Sequence, residues 1–231
     1  VNLRWPVFNF TDVQYGSLHP ALQVSPRVAP PMIGLGLLEA IPSQQLLASE
    51  DVKDEDGDGI SGKANRVWSV AQNKLVLGRF GWKAGQPTLT QQNAAAFNGD
   101  LGITSRLFPK DPCTKHQLAC LKSESGGAHE VSQKILDFVQ FYTRNLAVPA
   151  RINAQDPLVK KGNKLFMAIG CGRCHIPSYT TPVMPAQPEQ SEQEIWPYTD
   201  LLLHDMGPDL ADNRPEFLAD GQEWRTPPLW G

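Results

Sequence analysis

The chain has 231 residues, with 21 Lys plus Arg against 24 Asp plus Glu, a formal net charge of -3. That balance offers no basic face for nucleic acid or anionic lipid, and the longest apolar runs, such as "MIGLGLLEAI", fall short of the roughly 18 residues of a membrane span. With 20 Pro and 19 Gly, the composition describes short helices, many loops and covalent or metal cross-links, and the length suits two small domains better than one.

No charged and apolar leader opens the chain, so either a secretion signal has been removed or the sequence begins in mid-protein. The stop at "EWRTPPLWG", without a terminal helix or polar tail, favours the second. The first patterned stretch, "RVAPPMIGLG" from Arg27, shares its Arg, double Pro, apolar residue and Gly with "RTPPLWG" from Arg225. As a repeat it places the same point of one module in the chain twice; the alternative is a coincidence of a Pro-rich composition.

"DVKDEDGDGISGKAN" follows. Asp54, Asp56 and Asp58 occupy positions 1, 3 and 5 of a D-x-D-x-D-G run, Gly59 gives the turn, and the Ile60 carbonyl stands at position 7. The pattern suits calcium. Position 12 is Asn65 where an EF-hand has a bidentate Glu, so with Asn65 as its last member the site is expected to be weaker or to be completed from elsewhere, with an oxygen from Asp51 or Ser61. The alternative is a solvated acidic turn, although three Asp in five residues repel one another unless a cation neutralises them.

Cys113 and Cys120, in "CTKHQLAC", have no second Cys or His pair for a zinc site. They read as a disulfide closing a small loop, or else as free buried thiols. In "HEVSQKILDFVQFYTRNLAVP", Val131, Ile135, Val139, Tyr142 and Leu146 stand near helical spacing and predict a packing helix between domains.

A second helix is predicted in "QDPLVKKGNKLFMAIGC", with Asp156 as N-cap, Pro157 in the first helical position, and Leu158, Leu165, Phe166 and Ile169 on one face. It delivers Cys171. Cys171, Cys174 and His175 form C-x-x-C-H, in which two thiols attach to haem vinyl groups and the imidazole takes one axial position on the iron. A redox dithiol or half of a zinc site are the competing meanings of C-x-x-C. For the sixth iron position, "IWPYTDLLLHDMGPDLAD" offers His204 and Met206, and "TPVMPAQP" offers Met184 in a Pro-rich loop. Both His204 and Met206 also have ordinary roles, as a hydrogen-bonding group and as core filler.

Six blocks in order, "APPMIGLGLLEAIP", "DEDGDGISGKANRVW", "LGRFGWKAGQPTLTQQNAAAFNGDLGITSRLFP", "GCGRCHIP", "IWPYTDLLLHDMG" and "EWRTPPLWG", resemble the di-haem oxidoreductase family, relatives of the bacterial di-haem cytochrome c peroxidases. The resemblance runs from about residue 20 to the end. It implies a further C-x-x-C-H upstream and a further segment downstream, so the chain looks like an excerpt or processed form of a two-haem protein. "YTDLLLHDMG" is similar to the F-T-D-x-x-F-H-N-x-G segment that holds a displaceable distal His, with Asp200 and His204 at the matching places. This favours His204 over Met206 and implies ligation by His175 and His204. The "GRFGWKAGQPTLTQQNAAAFNGDLG" stretch is similar to the region that carries the peroxidatic acid-base. Asp100 stands in place of its Glu, with Gln92 as the matching Gln, two residues closer than in those peroxidases. Trp82 reads as a relay between haems or as a buried aromatic.

The expected fold is therefore mainly α and loop-rich, with cytochrome c-like modules. Residues 1–112 would be the late part of a first module with the acidic metal loop, 113–150 the disulfide loop and connecting helix, and 151–231 a second module carrying the pentad. The expected activity is that of a periplasmic, peroxidase-like c-type haem oxidoreductase in which the Cys171/Cys174 haem passes electrons. Covalent haem c and calcium are its cofactors, and a small-molecule oxidant and a redox partner protein its partners. The alternatives are a non-enzymatic electron carrier and an oxygenase or protein-modifying oxidase on the same scaffold.

Overall fold

The computed structural model describes residues 7–230. Helix α1 (Leu35–Ala40) and α2 (Ser43–Leu47) lead into the acidic loop, and a hairpin of β1 (Arg66–Ser69) and β2 (Lys74–Leu77) follows. Then come α3 (Leu89–Leu101), the short α4 (Leu118–Leu121), α5 (Gln133–Asn145) and α6 (Pro157–Ala168). The C-terminal third holds two small antiparallel pairs, β3 (Tyr179–Thr180) with β4 (Glu194–Ile195) and β5 (Leu203–Asp205) with β6 (Glu223–Arg225).

The expectation of a mainly α chain is corrected by this inventory. Only 28% of the chain is helical and 11% is strand, and no separate cytochrome c-like module stands out among the described residues. The cause is punctuation by Pro and Gly, which confines helices of 12 or 13 residues to the three stretches without interior proline. One apolar cluster joins Leu38, Leu46, Leu77 and Leu89 to Tyr179, Ile195, Leu201 and Leu202. The early and late segments thus share a core. No helix among the described residues is long and apolar enough to cross a membrane.

Caps form where the residue types place them. Asp156 accepts from Leu158 N at 2.7 Å and starts α6; Ser132 accepts from Ile135 N and starts α5. The buried face of α5 differs from the predicted stripe: Leu136 and Thr143 are buried, whereas Ile135 and Tyr142 are exposed. The reason is a polar seam with its neighbours. Thr143 Oγ1 accepts from Asn93 Nδ2 of α3 at 2.9 Å, and Arg144 pairs with Glu39 of α1 at 2.8 Å. Gly36 permits this crossing, because a Cβ there would lie 2.2 Å from the Arg144 carbonyl oxygen. Cys113 and Cys120 are bonded to each other, with Cα atoms 5.9 Å apart.

Candidate haem site

Helix α6 ends at Ala168, and the left-handed Gly170 turns the chain into a single 3-10 turn over Cys171–Arg173. Both pentad cysteines, His175, His204 and Met206 line one cavity of about 620 Å3, within the range of small-molecule and cofactor sites. Its wall also includes Val28, Trp82, Leu210, Trp224, Arg225 and Thr226. Cys171 and Cys174 are not disulfide-bonded.

The "YTD" segment runs back along the pentad, with Thr199 N donating to the Ile176 carbonyl and Asp200 N to that of Cys174 at 3.0 Å. Tyr198, at φ 51, turns its own carbonyl towards His175, whose Nδ1 lies 2.7 Å from that oxygen. A carbonyl only accepts, so Nδ1 carries the proton and Nε2 keeps its lone pair for a metal. Phe166 of α6 meets the His175 ring edge-on at 6.1 Å, fixing its plane. The rest of the α6 apolar stripe, Leu158, Leu165 and Ile169, is exposed among the described residues.

His204 sits differently. It lies on β5 opposite Trp224 of β6, and its Nδ1 is 2.8 Å from the Ser61 carbonyl while Nε2 is 2.8 Å from the Asp200 carboxylate. Both partners are acceptors, so the ring donates from both nitrogens and is an imidazolium. Burial works to lower its pKa, but is outweighed by the Asp200 hydrogen bond, the Cys174 sulfur contact and the charge of both partners, which raise it to about 10. In this arrangement neither nitrogen is available to iron. Met206, by contrast, is half exposed on the cavity wall. Met184 does not line the cavity.

The acidic loop stands beside this site. Its exit strand pairs with β5 through Lys63 and Leu203, and Gly62 lets it close in, since a Cβ there would meet His204 Cε1 at 3.2 Å. Carboxylate oxygens of Asp51, Asp54 and Asp56 lie within 4.8 Å of one another. Asp58 is drawn away instead: its Oδ2 is 3.1 Å from Arg173 Nη1, between the pentad cysteines, and its carbonyl accepts from the same nitrogen at 3.0 Å. Asn65 does not complete the loop. It is fully buried, with Nδ2 donating to the carbonyls of Lys83 (2.6 Å) and Glu216 (3.1 Å) and Oδ1 accepting from Leu218 N (3.0 Å).

Asp100 is exposed near the C-terminal end of α3, and neither it nor Gln92 reaches the cavity. The buried glutamine of that helix is Gln91, which holds Val70 N and the Trp68 carbonyl. Reading by motif also missed Arg27, Arg225 and Trp224. The paired "R…PP" stretches were the available signal, because the structure brings both arginines to this one wall.

Trp224 has two cations near its ring, Lys83 Nζ at 4.6 Å and Arg27 at 5.0 Å from the ring centre. Both cations converge on Asp212, which also accepts from Ser25 and Arg214 N. Burial would raise the Asp212 pKa, but these donors hold it well below the usual carboxylate range. A depressed carboxyl contributes stability above its unfolded pKa of about 4 and loses it as pH falls towards the folded value. Asp212→Asn should therefore lower the melting temperature at neutral pH, and the wild-type and variant curves should converge in acid. Parallel curves from pH 7 to acid would show that Asp212 makes no ionic contribution.

A donor imidazole with one free nitrogen, two sulfurs at C-x-x-C spacing and a largely apolar cavity are the groups a haem-binding oxidoreductase needs. Over residues 11–231 the chain matches the family described as "di-haem oxidoreductase, putative peroxidase", and it belongs to that family. No curated protein and no solved structure matched it. Membership implies haem, and the cavity fits the group: Thr226 Oγ1 on its wall is a buried hydroxyl without a partner among the described residues.

Proposed function

We propose that the chain carries a covalent c-type haem on Cys171 and Cys174, whose iron His175 Nε2 would hold, and that it passes electrons in the reduction of a small oxidant of the peroxide class. The observation that carries this is the His175 Nδ1 to Tyr198 carbonyl bond, which presets the imidazole as a ligand on the wall that holds both thiols. Once bound, haem supplies one-electron chemistry at iron. The chain's own residues orient the ligand through Tyr198 and Phe166 and line the pocket with apolar groups. Asp100 and Gln92, which stand away from this cavity, would act only above a first haem. A redox partner protein supplies electrons, and an extracytoplasmic place, the periplasm in a bacterium, agrees with the Cys113–Cys120 bond.

Met206, rather than His204, is the side chain free to take the sixth position, because both His204 nitrogens are engaged. The oxidised holoprotein should show a weak far-red sulfur-to-iron band that Met206→Ala removes. A wild-type spectrum of two nitrogen ligands, lost in His204→Ala, would restore His204 as the ligand.

For the acidic loop we infer a calcium site formed by Asp51, Asp54 and Asp56, with Asp58 committed to Arg173. Saturation at a hundred times Kd stabilises a fold by about 2.7 kcal/mol, so chelation should lower the melting temperature and Asp56→Ala should abolish that response. Identical melting curves with and without chelator would leave a solvated turn.

A further inference from the structure

Resting on the reading of this cavity as a haem site, we propose that Arg225 and Thr226 receive a haem propionate carboxylate. Arg225 is 5% exposed and forms part of the cavity wall. Its backbone is pinned on both sides: β6 pairs it with Leu203, and its N–H donates to the Trp82 carbonyl at 2.8 Å. The guanidinium spends Nε on the Gly81 carbonyl (2.8 Å) and Nη1 on the Thr226 carbonyl (3.0 Å). Nη2 makes no hydrogen bond among the described residues, and Arg225 forms no ion pair with them.

An arginine stays charged when buried, and an unpaired charge in the interior is costly. Asp200 attracts it through space but is not paired with it, because the Asp200 oxygens hold His204 Nε2 and Leu202 N and no ion pair joins the two side chains. The other cations on or behind this wall are matched, Arg27 to Asp212 and Glu216, and Lys83 to Asp212. Arg79, which is also buried, uses both terminal nitrogens on the Leu38 carbonyl and Ser43 Oγ and stands away from the cavity. Arg225 is thus the cation on this wall with no anion in contact among the described residues, and the hydroxyl of the next residue, Thr226, is buried and unpartnered.

A guanidinium nitrogen without a partner on a cavity wall calls for a carboxylate acceptor, and rotation of the buried Thr226 hydroxyl adds a second donor. Haem offers carboxylates only on its propionates. Arg225 then does more than hold the cofactor. Its charge keeps the propionate ionised, and a cation near the iron favours the reduced state.

The test is the midpoint potential of the holoprotein measured across pH for the wild type, Arg225→Gln and Arg225→Lys. Arg225→Gln should shift the potential to more negative values and make it vary with pH in the carboxyl range, whereas Arg225→Lys should retain most of the wild-type behaviour. An Arg225→Gln holoprotein with the wild-type potential and pH profile would overturn the proposal. If Arg225→Gln yields no holoprotein, Thr226→Val supplies the readout: the propionate bending band in resonance Raman spectra should move, and an unmoved band would overturn it. A wild-type protein without covalent haem would instead refute the cavity reading on which the proposal stands.

Discussion

Replacing Cys171 and Cys174 together by alanine should leave the purified protein with no haem after denaturation, whereas the wild type should keep one haem per chain. Each thiol adds across a vinyl group, its hydrogen going to the second vinyl carbon, and the resulting thioether survives unfolding. Both sulfurs lie on the cavity wall, so each single variant should retain one such bond. Electrophoresis in detergent followed by haem staining, with the intact mass, reads the result directly. Haem that stays on the denatured double variant, or leaves the denatured wild type, would remove the c-type assignment.

Asn65→Ala should destabilise the protein by about 4 kcal/mol, since each buried polar group left unpaired costs about 1–3 kcal/mol and two are orphaned at once. Those groups are the Lys83 carbonyl and the Leu218 amide, whereas the Glu216 carbonyl keeps the Ala219 N–H. They lie in segments far apart in sequence, so the amide acts as a clamp. Asn65→Asp keeps the acceptor, loses both donors and should also destabilise, with or without calcium. Urea unfolding with and without chelator separates the roles: stabilisation by aspartate only when calcium is present would make residue 65 a member of the loop.

Features legible in the sequence were those decided within a few residues. The Asp156 cap, the proline at the start of α6 and the delivery of the pentad follow from local spacing, as does the bond between Cys113 and Cys120. The acidic run marked a turn that gathers carboxylates, and Asp51 was among the oxygens it suggested. Helical content was overestimated because a pentad and two amphipathic stretches say little about the loops between them. The stripe on α5 was drawn for an apolar contact, whereas Thr143 and Arg144 seat that helix through polar partners on α3 and α1.

By itself the sequence determined the chemistry on offer: two thiols and an imidazole at haem-binding spacing, a carboxylate-rich turn and a family-specific order of blocks. Tertiary structure alone decided how each group is used. His204 finds Ser61 from 143 positions away and Asp200 from four, and together they occupy both ring nitrogens. Asp58 is claimed by Arg173 across 115 positions, and Arg225 reaches the cavity because β6 lies against β5. Hydrogen-bond valence is the physical reason, because a side chain has a fixed number of donors and acceptors, and long-range contacts spend them before any cofactor arrives.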